Sequence, residues 1–308
     1  MQTSGIFTPL SDQVLKTIVD YTKAGLDENE PIHPKLFKSS STTHKFVRKQ
    51  SLAPFGAMPR KGEGEEYSFD QIMPGYSKDF TPLEYGMGFR FSETAQEDDD
   101  YEVLSQHSRF LGLSARVLQE TQAADIFNAG FTATTGTLTA DGLSLFNTAH
   151  VLKRGGTAKN RLSTAADLST GSLDQLRSDM RTNTKLESGQ LMRPAKDFFL
   201  LVHPDNEGLA YRICRSEKLQ GTADNDINHL KITLNLEPLV WEYLTDADAF
   251  YLVAKKSSAH GLVQFDRVKP KLNAQAVDPK TGDRIVTIRL RQMWGAFDWR
   301  NVAGTEGA

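Results

Sequence analysis

The strongest pattern in the sequence is a long amphipathic helix over residues 98–129. Its apolar residues recur every seven positions in two adjacent series, which form one stripe: Val103, Phe110, Val117 and Ala124, and beside them Leu104, Leu111 and Leu118. At ~1.5 Å per residue such a helix is about 48 Å long. A compact chain of 308 residues is roughly 50 Å across. The helix would cross the whole molecule, which favours an elongated plate around a spine.

The residues at the ends of this helix suit its termini. The acidic run 97–100 precedes it, and carboxylates stabilise a helix N-terminus. A cation site is the alternative, but three consecutive aspartates point in different directions on a helix, so we favour the helix-start role. Gly130 suits the C-terminal stop, and Gly112 inside the helix costs about 1 kcal/mol relative to alanine.

Composition excludes several classes of protein. Lys and Arg number 36 against 39 Asp and Glu, a formal charge of −3, which argues against a strongly basic nucleic-acid binder. No apolar run approaches the ~18 residues of a membrane helix, and the N-terminus lacks the pattern of a secretory signal. The single Cys214 excludes an internal disulfide framework and a cysteine zinc site. We expect a soluble, intracellular α/β or α+β chain of one or two domains.

Residues 1–45 are predicted to form an arm with one short helix. Ser11 is the expected N-cap and Gly25 the expected C-terminal stop. One face of this helix is apolar and carries Val14, Leu15, Ile18 and Tyr21. Two interpretations remain open: a surface helix with a linker, or an arm that docks on another subunit.

Residues 46–96 are predicted to form a long two-stranded β-hairpin. Within them, residues 83–91 alternate strictly between apolar residues and Glu, Gly or Arg, which is the pattern of a half-buried strand. An isolated hairpin is marginal in water, so we expect this one to lean on a neighbouring subunit. The same neighbours would then cover Phe89, Phe91 and the arm residues Leu15 and Ile18.

A small α/β unit and a β-rich tail follow. Ser172 is the predicted cap of a helix, Phe198 to Val202 a buried strand, and Pro204 the first turn of a second helix. Two more strands are expected at 231–236 and 249–254. In the tail, residues 285–290 alternate as a strand after a turn at 278–284.

No catalytic motif is present in the sequence. There is no phosphate-binding glycine loop, zinc-protease motif or nucleophile elbow, and no two histidines lie close enough in sequence to form a local metal pair. His150 could be catalytic, but we favour a structural histidine bonded to its loop. Cys214 is interpreted as a small buried hydrophobe, and Trp241, Trp294 and Trp299 as packing residues. We therefore assign no catalytic, cofactor-binding or metal residue and expect no cofactor.

Several separate stretches, in order, carry a resemblance to a known family. They are DGLSLFNTAHVLKRGGTAKNRLSTAADLSTGSLDQL at 141–176, LLVHPDNEGLAYRI at 200–213, GTADNDINHLKITLNLEPLVWEYLTDADAFYLV at 221–253 and GAFDWRNVAG at 295–304. In these the chain resembles the major capsid protein of tailed bacteriophages, nearest the Mu-like major head subunit group. The likeness extends from about residue 66 to 304 and is weak over the first 45 residues.

The resemblance implies an α+β tailed-phage major capsid fold with four parts. They are an N-terminal arm at 1–45, an extension loop (the β-hairpin) at 46–96, a peripheral domain with the spine helix at 97–170 and 255–308, and an axial domain at 171–254. It also implies a structural protein rather than an enzyme, forming hexamers and pentamers that close into an icosahedral shell around double-stranded DNA. The resemblance further implies that the protein encloses DNA without sequence-specific binding and does not contact a membrane.

The resemblance also implies further partners and a location. Some relatives carry a long N-terminal scaffolding region, whereas this chain moves almost directly into the arm, so we expect a separate scaffolding protein, or none. A portal and decoration proteins would complete the head, which is assembled in the host cytoplasm and becomes the virion capsid. Two other hypotheses remain: an encapsulin-type nanocompartment shell, which shares the fold, and a soluble hydrolase-like enzyme with a pocket around His150 or Cys214.

Overall fold

The predicted long helix is present and forms the spine of the molecule. The computed structural model describes residues 12–92, 94–95, 101–218, 227–233, 235–255, 260–278 and 280–308. Within them, the helices are α1 Asp12–Asp27, α2 His33–Leu36, the spine helix α3 Tyr101–Asn128, α4 Thr170–Asn183, α5 Glu207–Arg215 after a 3-10 turn at Pro204–Asn206, and α6 His229–Thr233. Ser11 and the acidic run 97–100 lie outside the described residues.

The strands form two four-stranded sheets and two small hairpins. Their bounds are β1 Lys38–Ser41, β2 Val47–Ala53, β3 Met73–Phe80, β4 Leu83–Phe91, β5 His150–Val151, β6 Thr157–Ala158, β7 Asp197–Val202, β8 Asn235–Val240, β9 Phe250–Ala254, β10 Leu262–Val277, β11 Arg284–Ala296 and β12 Val302–Thr305. The first sheet has the order β1-β10-β11-β4 and the second β12-β9-β7-β8. β2 pairs with β3, and β5 with β6.

The first sheet packs against the N-terminal half of the spine helix. The predicted alternation at 285–290 is confirmed, because Val286, Ile288 and Leu290 are buried against α3 while the residues between them are more exposed. β4 is a strand, as predicted, but its place in the hairpin was wrong. It pairs along its whole length with β11 and forms an edge of the sheet. The hairpin proper is β2 and β3, joined by residues 54–72.

The second sheet lies between two apolar cores because its central strands are apolar on both faces. Phe199 and Tyr251 face the C-terminal half of α3, whereas Phe198 and Leu252 face the opposite core with α4 and α5. The predicted strands at 198–202 and 249–254 are confirmed as β7 and β9. The strand predicted at 231–236 was wrong in position. Residues 229–233 are helical, and β8 begins at Asn235 as an edge strand, where Pro238 is tolerated.

Two glycines let α1 cross the spine helix at very short range. A Cβ added at Gly25 would lie 2.0 Å from the carbonyl oxygen of Arg109, and one at Gly112 would lie 2.0 Å from that of Thr22. The prediction that Gly25 ends α1 was wrong. Gly25 lies inside this helix, which continues to Asp27. Gly112, a weak point by helix propensity alone, is required because any side chain would separate the two backbones.

The expectation that neighbouring subunits cover Leu15 and Ile18 was wrong. Ile18 is fully buried and Leu15 half-buried in the same cluster, where both contact residues of their own chain. Phe89 and Phe91 are also half-buried on that cluster, and the Phe89 ring lies 5.6 Å from the ring of His107 on α3. These side chains belong to the core of the subunit because the spine helix supplies the cover that the sequence could not locate.

Two local details complete the comparison. The cap of α4 is Ser169 and not Ser172, which occupies the third helical position and completes a reciprocal capping box. The turn predicted at 278–284 is confirmed, with Gly282 at φ +77°. Across the described residues, no helix combines the length and the apolar character needed to cross a membrane.

Candidate functional site

His150, the histidine weighed as a catalytic candidate, lies in a buried polar network. Its Nδ1 is 2.7 Å from Oδ2 of Asp141, and its Nε2 is 3.1 Å from Oδ1 of Asn160. The ring stacks on Trp299 with centroids 4.4 Å apart and planes 7° from parallel. The side chains of His150 and Asp141 are 0% and 3% exposed. Every polar atom of the ring is therefore occupied within the protein.

The hydrogen bonds of Asn160 to the backbone define the orientation of its amide. Its Nδ2 donates to the carbonyl oxygens of Leu145 at 2.8 Å and Val302 at 3.0 Å. Its Oδ1 must then accept, both from the ring of His150 and from the backbone N–H of Asn147. Since a carboxylate is also an acceptor, both ring nitrogens of His150 face acceptor atoms.

The network joins the 139–160 segment to the C-terminal part of the chain. Asp141 also accepts from the hydroxyl of Thr139 and the backbone N–H of Leu143, so the 139–160 segment is bonded internally and to the strand after Trp299. Burial by itself would raise the pKa of Asp141, but the hydrogen bond and charge of His150 lower it below 3.8. This geometry supports the structural interpretation of His150.

Replacing Asp141 with Asn should lower the free energy of unfolding at pH 7 by about 3 kcal/mol, because it removes the carboxylate that His150 contacts in a buried site. The lowered pKa of Asp141 stabilises the fold above the unfolded pKa, and this stabilisation disappears as the pH falls through the folded pKa. Denaturant unfolding from pH 7 to pH 2 measures both effects. The wild-type protein should lose stability steeply below about pH 4, whereas the Asp141→Asn variant should lose less.

The exposed Asp20 on α1 supplies the control for this measurement. Asp20→Asn should leave both the stability at pH 7 and its acid dependence close to those of the wild-type protein, because an exposed carboxylate is solvated in both states. Equal curves for the Asp141→Asn variant and the wild-type protein would exclude an ion pair between Asp141 and His150.

A second buried network is centred on Glu120, in the middle of the spine helix. Its Oε1 lies 2.6 Å from Nδ1 of His33 and accepts from the backbone N–H of Ile32 at 3.2 Å. Its Oε2 accepts from the indole N–H of Trp241 at 2.9 Å. The carboxylate therefore ties the arm segment that contains α2 and the end of β8 to the spine helix. Three donors on one carboxylate satisfy its main acceptor directions.

The remaining candidate residues have structural environments. Cys214 is buried, and burial raises the pKa of its thiol to about 11 although Arg215 acts in the opposite direction. Trp241, Trp294 and Trp299 are all buried, which confirms their prediction as packing residues. Across the described ranges, no group of three or more His, Cys, Asp or Glu side chains is close enough to hold a metal ion.

The hairpin is attached to the body of its own chain by polar contacts from its strand β3 and from the connection between its strands. Tyr76 donates its hydroxyl to the carbonyl oxygen of Val151 at 3.2 Å. Arg154 forms an ion pair with Asp70 at 2.9 Å. Backbone donation from Gly56 and the charge of Arg154 lower the pKa of Asp70. Lys78 donates to the carbonyl oxygen of Leu138, and its burial lowers the pKa of its ammonium group to about 8.

Beyond these attachments, the hairpin exposes large apolar side chains. Met58 and Phe69, in the connection between its strands, are 95% and 92% exposed. Other exposed members of the hairpin surface are Phe46, Leu52, Phe55, Tyr67, Ile72 and Met73. Exposed apolar patches often mark interaction sites on soluble proteins, so these side chains are candidates for contacts with a partner.

The spine helix adds a second exposed apolar stripe. Of the two heptad series in the sequence, the one with Leu111 is buried on the first sheet. The other leaves Val103, Phe110 and Val117 exposed, Phe110 at 56%, and only Ala124 of that series is fully buried. The two apolar series of the spine helix therefore differ in their surroundings. The series with Leu111 packs inside the subunit, whereas most of the series with Phe110 remains exposed to solvent.

Several residues of these networks were missed from the sequence. One sequence feature could have indicated Glu120, because it is a single acidic residue beside the buried end of an apolar stripe. The neighbouring sequence does not identify its hydrogen-bond partners. Asp141 and Asn160 lie in a segment rich in turns, where polar residues are ordinary. Their roles depend on contacts between residues far apart in the chain, as in the 139-residue separation between Asn160 and Trp299.

Comparison with known proteins identifies a family and several solved structures with a similar fold. A family model described as phage capsid protein matches residues 75–304. The capsid of the Cyanophage P-SCSP1u has a similar fold, with TM-score 0.61 and 12% identity, over 100% of this chain and 92% of that chain. The virus-like particle from Pyrococcus furiosus is similar with TM-score 0.56 and 11% identity, over 94% of this chain and 98% of that chain. The procapsid of bacteriophage JBD30 is similar with TM-score 0.52 and 15% identity, over 98% of this chain and 77% of that chain. No curated protein matches in sequence.

Proposed function

The chain belongs to the phage capsid protein family and is a major capsid shell protein, and from this premise we propose that it assembles as hexamers and pentamers. These close into an icosahedral head that encloses double-stranded DNA. The observation that carries the proposal is the exposed apolar surface of the hairpin and of the spine helix. A folded subunit that keeps such surfaces in water buries them when copies of it associate.

The apolar cores of the subunit support a division into four parts. The proposed parts are the arm at 1–45, the extension loop at 46–96, the peripheral domain at 97–170 with 255–308, and the axial domain at 171–254. The last strand of the 46–96 segment, β4, joins the first sheet and not the hairpin. The two faces of the second sheet support an axial domain with its own core of α4 and α5. The first sheet on the spine helix supports the peripheral part.

The finer assignments are part of the same proposal. The stretches at 141–176 and 221–253 support a place near the Mu-like major head subunits. A separate scaffolding protein, a portal and decoration proteins are the expected partners, and the virion capsid, assembled in the host cytoplasm, is the expected location. A formal charge of −3 is compatible with a container that holds DNA without sequence-specific contacts, since specific binding requires clustered cations.

Replacing Met58 and Phe69 together with Asp should abolish shells while the subunit stays folded, because both side chains are almost fully exposed. Two buried charges at an interface cost several kcal/mol per contact, which is enough to prevent weak repeated contacts from closing a shell. Negative-stain electron microscopy and sedimentation velocity of the expressed protein measure the outcome, with the scaffolding partner supplied if the wild-type chain needs it.

The matched control is Phe69→Tyr, which keeps an aromatic ring and should still form shells. Normal shells from the Met58→Asp, Phe69→Asp variant would exclude the hairpin from the contacts between subunits. Shells of the wild-type protein that contain DNA when isolated from infected cells support a phage head, whereas shells that hold cargo enzymes would favour the nanocompartment alternative.

A further inference from the structure

A cationic cleft lies over the two central strands of the second sheet, between α4 and the segment that leads into β7. It encloses about 220 Å³. Its rim carries Arg177 and Arg181 from α4, and Arg193 and Lys196 from the segment before β7. Its floor is apolar and formed by Met180, Phe198 and Leu252, all buried in the core beneath.

The charges of this cleft are largely unbalanced. Arg177 is 15% exposed and donates to Asp174 at 2.9 Å. Arg181, Arg193 and Lys196 form no ion pair with any residue that the structure describes. Three like charges around one cleft repel each other, and an apolar floor strengthens that repulsion because it excludes water from one side. An anion bound between them would relieve the repulsion.

We propose that this cleft binds a phosphate group. Guanidinium forks match the oxygens of phosphate in pairs, and lysine adds a point charge. Three unpaired cations balance a phosphate, which carries up to two charges near neutral pH, better than they balance a single carboxylate. The volume of the cleft admits one or two phosphate groups and excludes a whole duplex. The phosphate can come from a free nucleotide or from a nucleic-acid strand, and the proposal does not depend on the capsid assignment.

Isothermal titration of the full-length chain with pyrophosphate and with ATP in 150 mM NaCl tests this. We expect saturable binding with one site per chain. In the Arg181→Glu, Arg193→Glu variant the dissociation constant should rise at least tenfold. Both arginines are exposed, so this variant should keep the melting temperature of the wild-type protein. A milder Arg193→Gln variant gives an intermediate loss if either charge reversal disturbs the fold.

The matched control is Arg60→Glu, which makes the same charge change in the hairpin connection, at an exposed arginine outside the cleft. It should bind as the wild-type protein does. A short duplex and a single-stranded oligonucleotide are added as competitors. Competition would identify nucleic acid as the source of the phosphate, and its absence a free nucleotide. No saturable binding of any probe, or equal weakening by the Arg60→Glu variant, would overturn the proposal.

Discussion

Replacing Gly112 with alanine should lower the free energy of unfolding by about 3 kcal/mol and release α1 from the spine helix. In an exposed helix the same change stabilises by about 1 kcal/mol, so the expected sign is reversed. The reason is geometric, since the new Cβ would lie 2.0 Å from the carbonyl oxygen of Thr22 and 3.0 Å from the backbone nitrogen of Leu26. Both obstacles are backbone atoms, and only separation of the helices removes the overlap.

Chemical denaturation measures the loss, and limited proteolysis within residues 12–27 measures release of α1. The chain offers a matched control in Gly208, on α5, where an added Cβ has no heavy atom within 4 Å. Gly208→Ala should stabilise the protein slightly. A Gly112→Ala variant as stable as the Gly208→Ala variant would show that the helices can separate without loss and would refute the close crossing.

Replacing Glu120 with leucine should cost about 4 kcal/mol, the range found when one partner of a buried polar group is removed. The side chain of leucine fits a similar volume but accepts no hydrogen bond. His33, the backbone N–H of Ile32 and the indole N–H of Trp241 would each lose their acceptor in a buried site. Equilibrium unfolding and near-ultraviolet circular dichroism of the tryptophans measure the effect.

Two variants separate this network from helix propensity. Glu102→Leu changes an exposed glutamate in the first turn of the same helix and should alter stability by well under 1 kcal/mol. Glu120→Gln keeps one acceptor oxygen and should lose part of the stability. A Glu120→Leu variant that unfolds at the same denaturant concentration as the Glu102→Leu variant would contradict a role for the carboxylate in joining α2, α3 and β8.

Both predictions concern the spine helix, because this element takes part in two of the apolar cores of the subunit. Its N-terminal half packs on α1 and the first sheet, and its C-terminal half packs on the second sheet. Glu120 lies between these halves and connects them to the arm. A change that loosens either contact would alter the relative positions of the surfaces on which assembly depends, in addition to lowering stability.

The sequence alone determined the elements whose signals are local. The seven-residue apolar repeat defined the spine helix, alternation defined β4 and β11, and continuous apolar runs defined β7 and β9. Each of these patterns reflects the periodicity of one backbone conformation, which requires no knowledge of the partner. Ordered likeness along the chain also identified the family, and the comparisons confirmed it.

Only the tertiary structure decided which surfaces are internal. The sequence could not tell that α1 and Phe89 are covered by the chain's own helix while Phe110 is left exposed, because all three carry the same apolar signal. It could not show that Gly25 and Gly112 bring two backbones together, since a glycine in a helix also resembles a stop. Nor could it pair Glu120 with Trp241. These outcomes depend on contacts between residues that are distant in the chain. A local sequence pattern indicates that a side chain needs a contact, but it does not identify the residue that provides it.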